Sequence, residues 1–211
     1  MMIKNIPYIL GPLENNSYLI FDEESRTAYV VDPSFDPQPI LETLHQEQLT
    51  LKAILLTHAH FDHLAGISTL VKMLPAPIQI ALSPKDAALY KNTGGASQFS
   101  YSLGELPKPT MALNAGQFLP LGQDQMEIRE VPGHTPGHIL IHVPSLKAAY
   151  CGDLIFRHSI GRTDLPGGDY RQLLQSIRTQ VFTLPPETTL FSGHGPSTTV
   201  AEEMAHNPFL A

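Results

Sequence analysis

The chain predicts an α+β fold in which two sheets pack face to face with helices on the outside. Two observations carry this expectation. Each half of the 211-residue sequence runs strands, helix, strand, helix. Two layers of strands can bury their inner faces only against each other, and amphipathic helices then cover the outer faces. Nineteen prolines and fifteen glycines are also spread through the chain, so many short elements are joined by firm turns. With no low-complexity linker or tandem repeat, this argues for one domain over residues 1–211.

Residues 2–9, 17–22 and 27–32 read as short strands, with Asn15-Asn16 and Glu23-Glu24-Ser25 as the turns between them. Asp32-Pro33 stops the third strand; Asp32 is either a turn residue or a carboxylate that orients a nearby metal ligand. From Pro37 to Gln48, the apolar positions Ile40, Leu41 and Leu44 make an amphipathic helix. Leu51 to Thr57 is an apolar run that reads as a buried strand. A helix is expected from about His63 to Leu74, halted by Pro75 and Pro77. Ile78 to Leu82 is a strand, and Ser83-Pro84-Lys85-Asp86 starts a short helix: serine cap, proline first, acid in the first turn. Residues 91–108 are polar and glycine-rich, a long loop that either flanks a pocket or runs over the surface.

The second half resumes with strands at Gln117–Leu121, Gln125–Val131, His138–Val143 and Lys147–Cys151. A helix over Asp169–Val181, a strand over Thr188–Phe191 and a helix over Thr198–Ala205 complete the chain.

A hydrophobic fraction of 42% can fill a substantial core. Net charge is −7 with a pI near 5.7, and no basic run appears, so nucleic acid is not an expected partner. No apolar run approaches the ~20 residues of a spanning helix. Met1 to Pro7 lacks a signal-peptide pattern, so no membrane partner is expected. The single cysteine, Cys151, excludes an internal disulfide and fits a reducing, cytoplasmic location. A monomer or homodimer is expected.

The chemistry concentrates in His58-Ala59-His60-Phe61-Asp62-His63, directly after the apolar strand. In an extended segment, residues two apart point the same way, so His58 and His60 can hold one ion from one side. Asp62 and His63 follow where the chain turns into a helix and can face a second ion. Imidazole and carboxylate together suit zinc, iron or manganese. A polar loop with chance histidines is the bland alternative, and the density of the motif weighs against it. Three more candidate ligands each follow an apolar strand: His134 after Pro132-Gly133, Asp153 after Gly152, and His194 after Gly193. Ligands at the ends of packed strands tend to meet at one sheet edge.

On these motifs the chain resembles the metallo-β-lactamase fold superfamily over essentially its whole length. Gly152-Asp153-Leu154-Ile155-Phe156 and Gly161-Arg162-Thr163-Asp164 are similar to its glyoxalase II-like branch. Ser192-Gly193-His194-Gly195-Pro196 and Asn207-Pro208-Phe209-Leu210 are similar to short bacterial hydrolases of that branch. The resemblance implies a four-layer αββα sandwich with two mixed sheets. It assigns His58, His60 and His134 to one divalent ion and Asp62, His63 and His194 to another, with Asp153 bridging. Asp62 and Asp153 are the expected catalytic carboxylates.

The implied activity is hydrolysis of a small acyl-thiol by hydroxide shared between two divalent ions, zinc first among them. Arg162 is the candidate contact for a substrate carboxylate; its alternative is an ion pair with Asp164 or Asp169. The chain ends 17 residues after His194, without the helical domain that carries further glutathione contacts in glyoxalase II, so another thiol is an alternative substrate. Rival readings are an iron-dependent persulfide dioxygenase using His58, His134 and Asp153, a lactone or ester hydrolase on the same site, and a scaffold with an inert site.

Overall fold

The computed structural model describes residues 2–210; Met1 and Ala211, the two ends of the expected domain, lie outside the described residues. Six strands form the first sheet, in the order β1 (Ile3–Leu10), β2 (Asn15–Asp22), β3 (Thr27–Val31), β4 (Thr50–Leu55), β5 (Gln79–Leu82) and β6 (Met111–Ala112). β1 to β3 pair antiparallel, and β3 to β6 run parallel. The second sheet has the order β14 (Thr198–Thr199), β13 (Thr189–Ser192), β10 (Ala148–Gly152), β9 (Ile139–Val143), β8 (Asp124–Glu130) and β7 (Phe118–Leu121). Here β10 and β13 are parallel and every other pair is antiparallel.

Period-two alternation explains the layers. On β2, Tyr18 and Ile20 face the second sheet, while Leu19 and Phe21 face the helices. On β10, Ala148 and Tyr150 face inward, while Ala149 and Cys151 pack outward. Cys151 is therefore a packing residue, and burial pushes its thiol pKa up. The outer face of the first sheet is covered by α1 (Gln38–Gln46) and α3 (Ile67–Met73), through Ile40, Leu44, Ile67 and Leu70. The outer face of the second is covered by α5 (Tyr170–Ser176) and α6 (Val200–His206), through Leu173 and Val200. Each fully buried aliphatic contributes about 1.5–3 kcal/mol. The result is the expected αββα order.

Several expectations change in detail. The helix expected from His63 to Leu74 is two helices, α2 (Phe61–Leu64) and α3, broken at Ala65-Gly66. In one continuous helix His63 would share a face with Ile67 and Leu70. The break lets His63 face the polar cleft while Ile67 and Leu70 face the sheet. The long loop is also more ordered than its composition suggested. After α4 (Ala87–Lys91), Thr93–Phe99 winds into tight helical turns with Gly94 and Gly95 in the left-handed region. Phe99 and Tyr101 stack on Phe61, with ring centroids 5.2 and 5.0 Å away. Of the two readings of this segment, flanking a pocket is the one observed.

The short strands β6, β11 (Ile155–Phe156), β12 (Ser159–Ile160) and β14 were not expected. Two residues are too few for an alternation to show. Thr198 belongs to β14 rather than to the last helix, which starts at Val200 with Thr199 as its cap. No helix among the described residues is long and apolar enough to cross a membrane.

Candidate metal centre

All seven candidate ligands come together where strands of both sheets end. His58 and His60 follow β4, Asp62 and His63 lie on α2, and His134 follows β8. Asp153 follows β10 and His194 follows β13. Ligand atoms of His58, His60 and His134 lie within 4.8 Å of one another, and so do those of Asp62, His63 and His194. Asp153 sits between the groups. Its Oδ1 is 3.4 Å from His63 Nε2, and its Oδ2 is 3.8 Å from both His134 Nε2 and His194 Nε2. His60 Nδ1 lies 2.8 Å from His134 Nε2.

Four of the imidazoles are held by their outer nitrogen. The Thr57 hydroxyl donates to Asp32 Oδ2 at 2.5 Å and so must accept from His58 Nδ1 at 3.0 Å. His63 Nδ1 donates to Asp32 Oδ2 at 3.0 Å. His134 Nδ1 donates to the Arg162 carbonyl at 2.8 Å, and His194 Nδ1 donates to the Leu13 carbonyl at 3.1 Å. Each bond places the proton on Nδ1 and leaves Nε2 to face the centre, the arrangement that metal-ligating histidines need. Asp32 also forms a third group with His58 and His63, but both its oxygens are committed to Thr57 and His63. It orients candidate ligands, the second of the two roles its position allowed.

The site fits divalent cations. His58 Nε2, His63 Nε2 and Asp153 Oδ1 are buried with no hydrogen-bond partner, which is costly unless something electrophilic lies between them. Burial pushes His58 below the ordinary imidazole range, and His63 and His134 add to it. Burial likewise takes His60 down to about 3, with His134 pushing the same way. These two rings are ready-made neutral donors. Burial also opposes charge on His63, but Asp62 and Asp153 outweigh it and raise its pKa well above the usual value. Burial opposes charge on His194 too, yet its bond to Asp62 and the charge of Asp153 raise it. For Asp62, burial is overcome by His63 and His194, and the pKa falls to about 2. Burial works against ionised Asp153 as well, and His63 nonetheless holds it below the carboxylate range. Proton-bearing imidazoles and carboxylates thus balance one another in the second group, and a cation entering there must displace protons.

Arg162 lines the cleft, and its guanidinium makes two 2.7 Å bonds to Asp164. The sequence offered that ion pair as an alternative to substrate contact. It did not anticipate that the Arg162 carbonyl anchors His134. Of the two histidines on β9's run, His138 is the one at the site, with its ring 4.8 Å from that of His58. His142 instead bonds Glu127 across the strands. His158 pairs with Glu202 at the surface, and His45 and His206 are exposed.

Two residues that bond the candidate ligands or their loops escaped the sequence reading. Asn15, which reads as a turn, donates to Asp62 Oδ2 at 2.8 Å and lies 3.2 Å from His194 Nε2. Asp86, which reads as an acid in a helix's first turn, is buried and accepts from Ala59 N, Thr135 Oγ1 and Gly137 N. Neither carries a local motif that would have marked it.

The cleft above the centre has a volume of about 260 Å³. Leu13, Phe61, Phe99 and Leu165 wall it, the ligand candidates His60, Asp62, His134, Asp153 and His194 form its floor, and Arg162 stands among them.

Comparison with known proteins identifies the family and the fold. The model of the metallo-beta-lactamase superfamily matches residues 10–194. A protein named hydroxyacylglutathione hydrolase GloC, from Haemophilus influenzae, is 35% identical over 212 aligned residues, covering 100% of this chain and 98% of that one. A crystal structure described as the BLEG-1 B3 metallo-beta-lactamase superposes with a TM-score of 0.90 at 35% identity, covering 99% of this chain and 100% of that one. The structure of TTHA1623 in a di-iron-bound form superposes with a TM-score of 0.87 at 37% identity, covering 97% and 100%.

Proposed function

Because the chain belongs to the metallo-beta-lactamase superfamily, we propose that it is a metal-dependent hydrolase of acyl thioesters of small thiols. His58, His60 and His134 would hold one divalent cation and Asp62, His63 and His194 a second, with Asp153 reaching both. Bound there, divalent cations supply a Lewis acid for the acyl carbonyl and bring the pKa of water to about 7, so hydroxide is at hand near neutral pH. Zinc is the metal proposed first, and likeness to a structure described as di-iron-bound keeps iron in the test.

The observation that carries the reading is the lining of the cleft. Apart from the ligand candidates, Arg162 is its single ionisable side chain among the described residues. Nothing there can protonate a departing amine or alkoxide. A thiol of pKa ~8.5 leaves as thiolate and needs no such donor. Similarity to a protein named a hydroxyacylglutathione hydrolase supports the same substrate class. The apolar walls exclude water from the acyl group and hold it over the floor. Arg162 is half-exposed and Asp164 fully so, and water and salt screen an ion pair between such groups until it holds the two only weakly. A substrate carboxylate can therefore take Asp164's place on the guanidinium in a bidentate pair.

Likeness to a protein described as a B3 metallo-beta-lactamase supports lactam hydrolysis as the second reading. The test is metal analysis of anaerobically purified protein, with S-lactoylglutathione, a simple acyl-thiol, a lactone and a β-lactam assayed side by side. Two metal equivalents and preferential thioester turnover are expected. Preferential lactam turnover would replace this reading with the second. One iron per chain, with oxygen consumed on a persulfide, would replace both.

A further inference from the structure

We propose that Asp86 is a positioning residue that holds the two ligand-bearing loops, one from each half of the chain, at a common spacing. The inference rests on His58, His60 and His134 being cation ligands. Asp86 lies on neither loop. It sits in the turn after β5, and its side chain is 1% exposed. Oδ2 accepts from the backbone of Ala59 at 3.0 Å and from the hydroxyl of Thr135 at 2.8 Å. Oδ1 accepts from the backbone of Gly137 at 2.6 Å. Ala59 lies between His58 and His60, and Thr135 follows His134. One carboxylate thus ties the peptide between His58 and His60 to the segment that follows His134, and so links all three histidines of the first group.

The chemistry suits an ionised carboxylate. It is acceptor-only, with two oxygens available to three donors. An amide of the same shape would turn an N–H toward at least one of those donors. Close packing supports the same role: a Cβ on Gly137 would lie 2.6 Å from Asp86 N and 2.7 Å from Asp86 Oδ1, so only glycine lets the second loop approach. His60 gains most from the clamp. His58 and His134 each have an outer nitrogen anchored to Thr57 or to Arg162. Among the described residues His60 has no such anchor, and its direction depends on the peptide that Asp86 holds. Asp32 performs the corresponding task one residue ahead of the motif, at Thr57. The first ligand loop is therefore gripped by a buried carboxylate on either side of His58.

The experiment is cobalt(II) titration in competition with a chromophoric chelator, in a His194→Ala background that leaves the first group intact. Asp86→Asn and Asp86→Ala should bind cobalt roughly 10–100-fold more weakly than the parent, the range found when partners of metal ligands are removed. The visible cobalt bands should also change shape, since the three imidazoles no longer share one geometry. Leu70→Ala, a core truncation on α3 that leaves all three Asp86 bonds in place, should lower Tm and leave affinity and bands unchanged. Thr135→Val removes one of the three bonds and should cost roughly fivefold. It decides the matter if Asp86→Ala does not fold. Parent-like affinity and bands in Asp86→Asn and Thr135→Val would overturn the inference alone. Failure of the parent itself to bind cobalt would overturn the ligand reading and the inference with it.

Discussion

Replacing Asp32 with asparagine tests how hydrogen-bond polarity sets up the centre. Asp32 is buried, with φ at +47°, a conformation that asparagine tolerates, so the exchange adds no backbone strain. Its Oδ1 accepts from Thr57 N at 2.7 Å, and its Oδ2 accepts from Thr57 Oγ1 and His63 Nδ1. In Asp32→Asn the carbonyl oxygen keeps the Thr57 N–H, and the amide NH₂ takes the place of Oδ2. That group donates where the carboxylate accepted. His63 must then present a lone pair at Nδ1, which moves its proton to Nε2, into the centre. Thr57 Oγ1 becomes an acceptor toward the new amide and turns its proton toward His58 Nδ1, so His58 reverses as well. One ligand in each group is lost as a donor. Loss of such a partner costs about 10–100-fold in metal affinity, or about 1.4–2.7 kcal/mol for each cation. Stability should change far less, by about 1 kcal/mol, or about 2–4 °C in Tm, because the number of bonds is kept. Zinc affinity by chelator competition and the ring-nitrogen NMR of neutral His58 in the metal-free protein are the readouts. Parent affinity together with a proton still on His58 Nδ1 would refute the reasoning.

Gly193→Ala would put a Cβ 2.2 Å from Asp153 Oδ1 and 2.6 Å from His63 Cε1. Shifts of about 1 Å at those groups should lower kcat/KM about 100-fold; activity within threefold of the parent would contradict the placement of Asp153. Phe99→Ala strips the cleft's outer wall and should raise KM for thioesters of apolar acyl groups about tenfold, with kcat nearly unchanged. Equal KM values across short and long acyl chains in both proteins would count against that wall. Metal-free protein should be most stable near pH ~6.5. His58, His60 and His138 are depressed, so the unfolded chain binds more protons and stability falls as pH drops through ~6.5 toward their folded values. His63 and His194 are raised, so their contribution is complete below ~6.5 and fades as pH climbs through their folded values. A Tm of metal-free protein that rises steadily from about pH 6 to about pH 9 would refute this pairing of signs.

Most of the site was legible because it is written in local patterns. The apolar run before His58, the two-residue spacing of His58 and His60, and the glycines before His134, Asp153 and His194 are all short-range features. Strand alternation likewise announces which faces are buried, and the three apolar clusters follow it. The break between α2 and α3 was missed because helical periodicity alone favours one continuous helix from about His63 to Leu74.

Residue types and their order along the chain thus determined by themselves the layered architecture, the main strands of both sheets and the seven side chains offered to a cation. The tertiary structure alone decided which nitrogen of each ring faces inward. That choice depends on partners 181 residues away at Leu13 O, 28 away at Arg162 O and 31 away at Asp32. A backbone carbonyl is the same in every residue, so its role as an anchor leaves no trace in composition or spacing. Asp86 was hidden for a related reason: its three donors are two peptide groups and a threonine, brought to it from two loops by the packing of one sheet on the other.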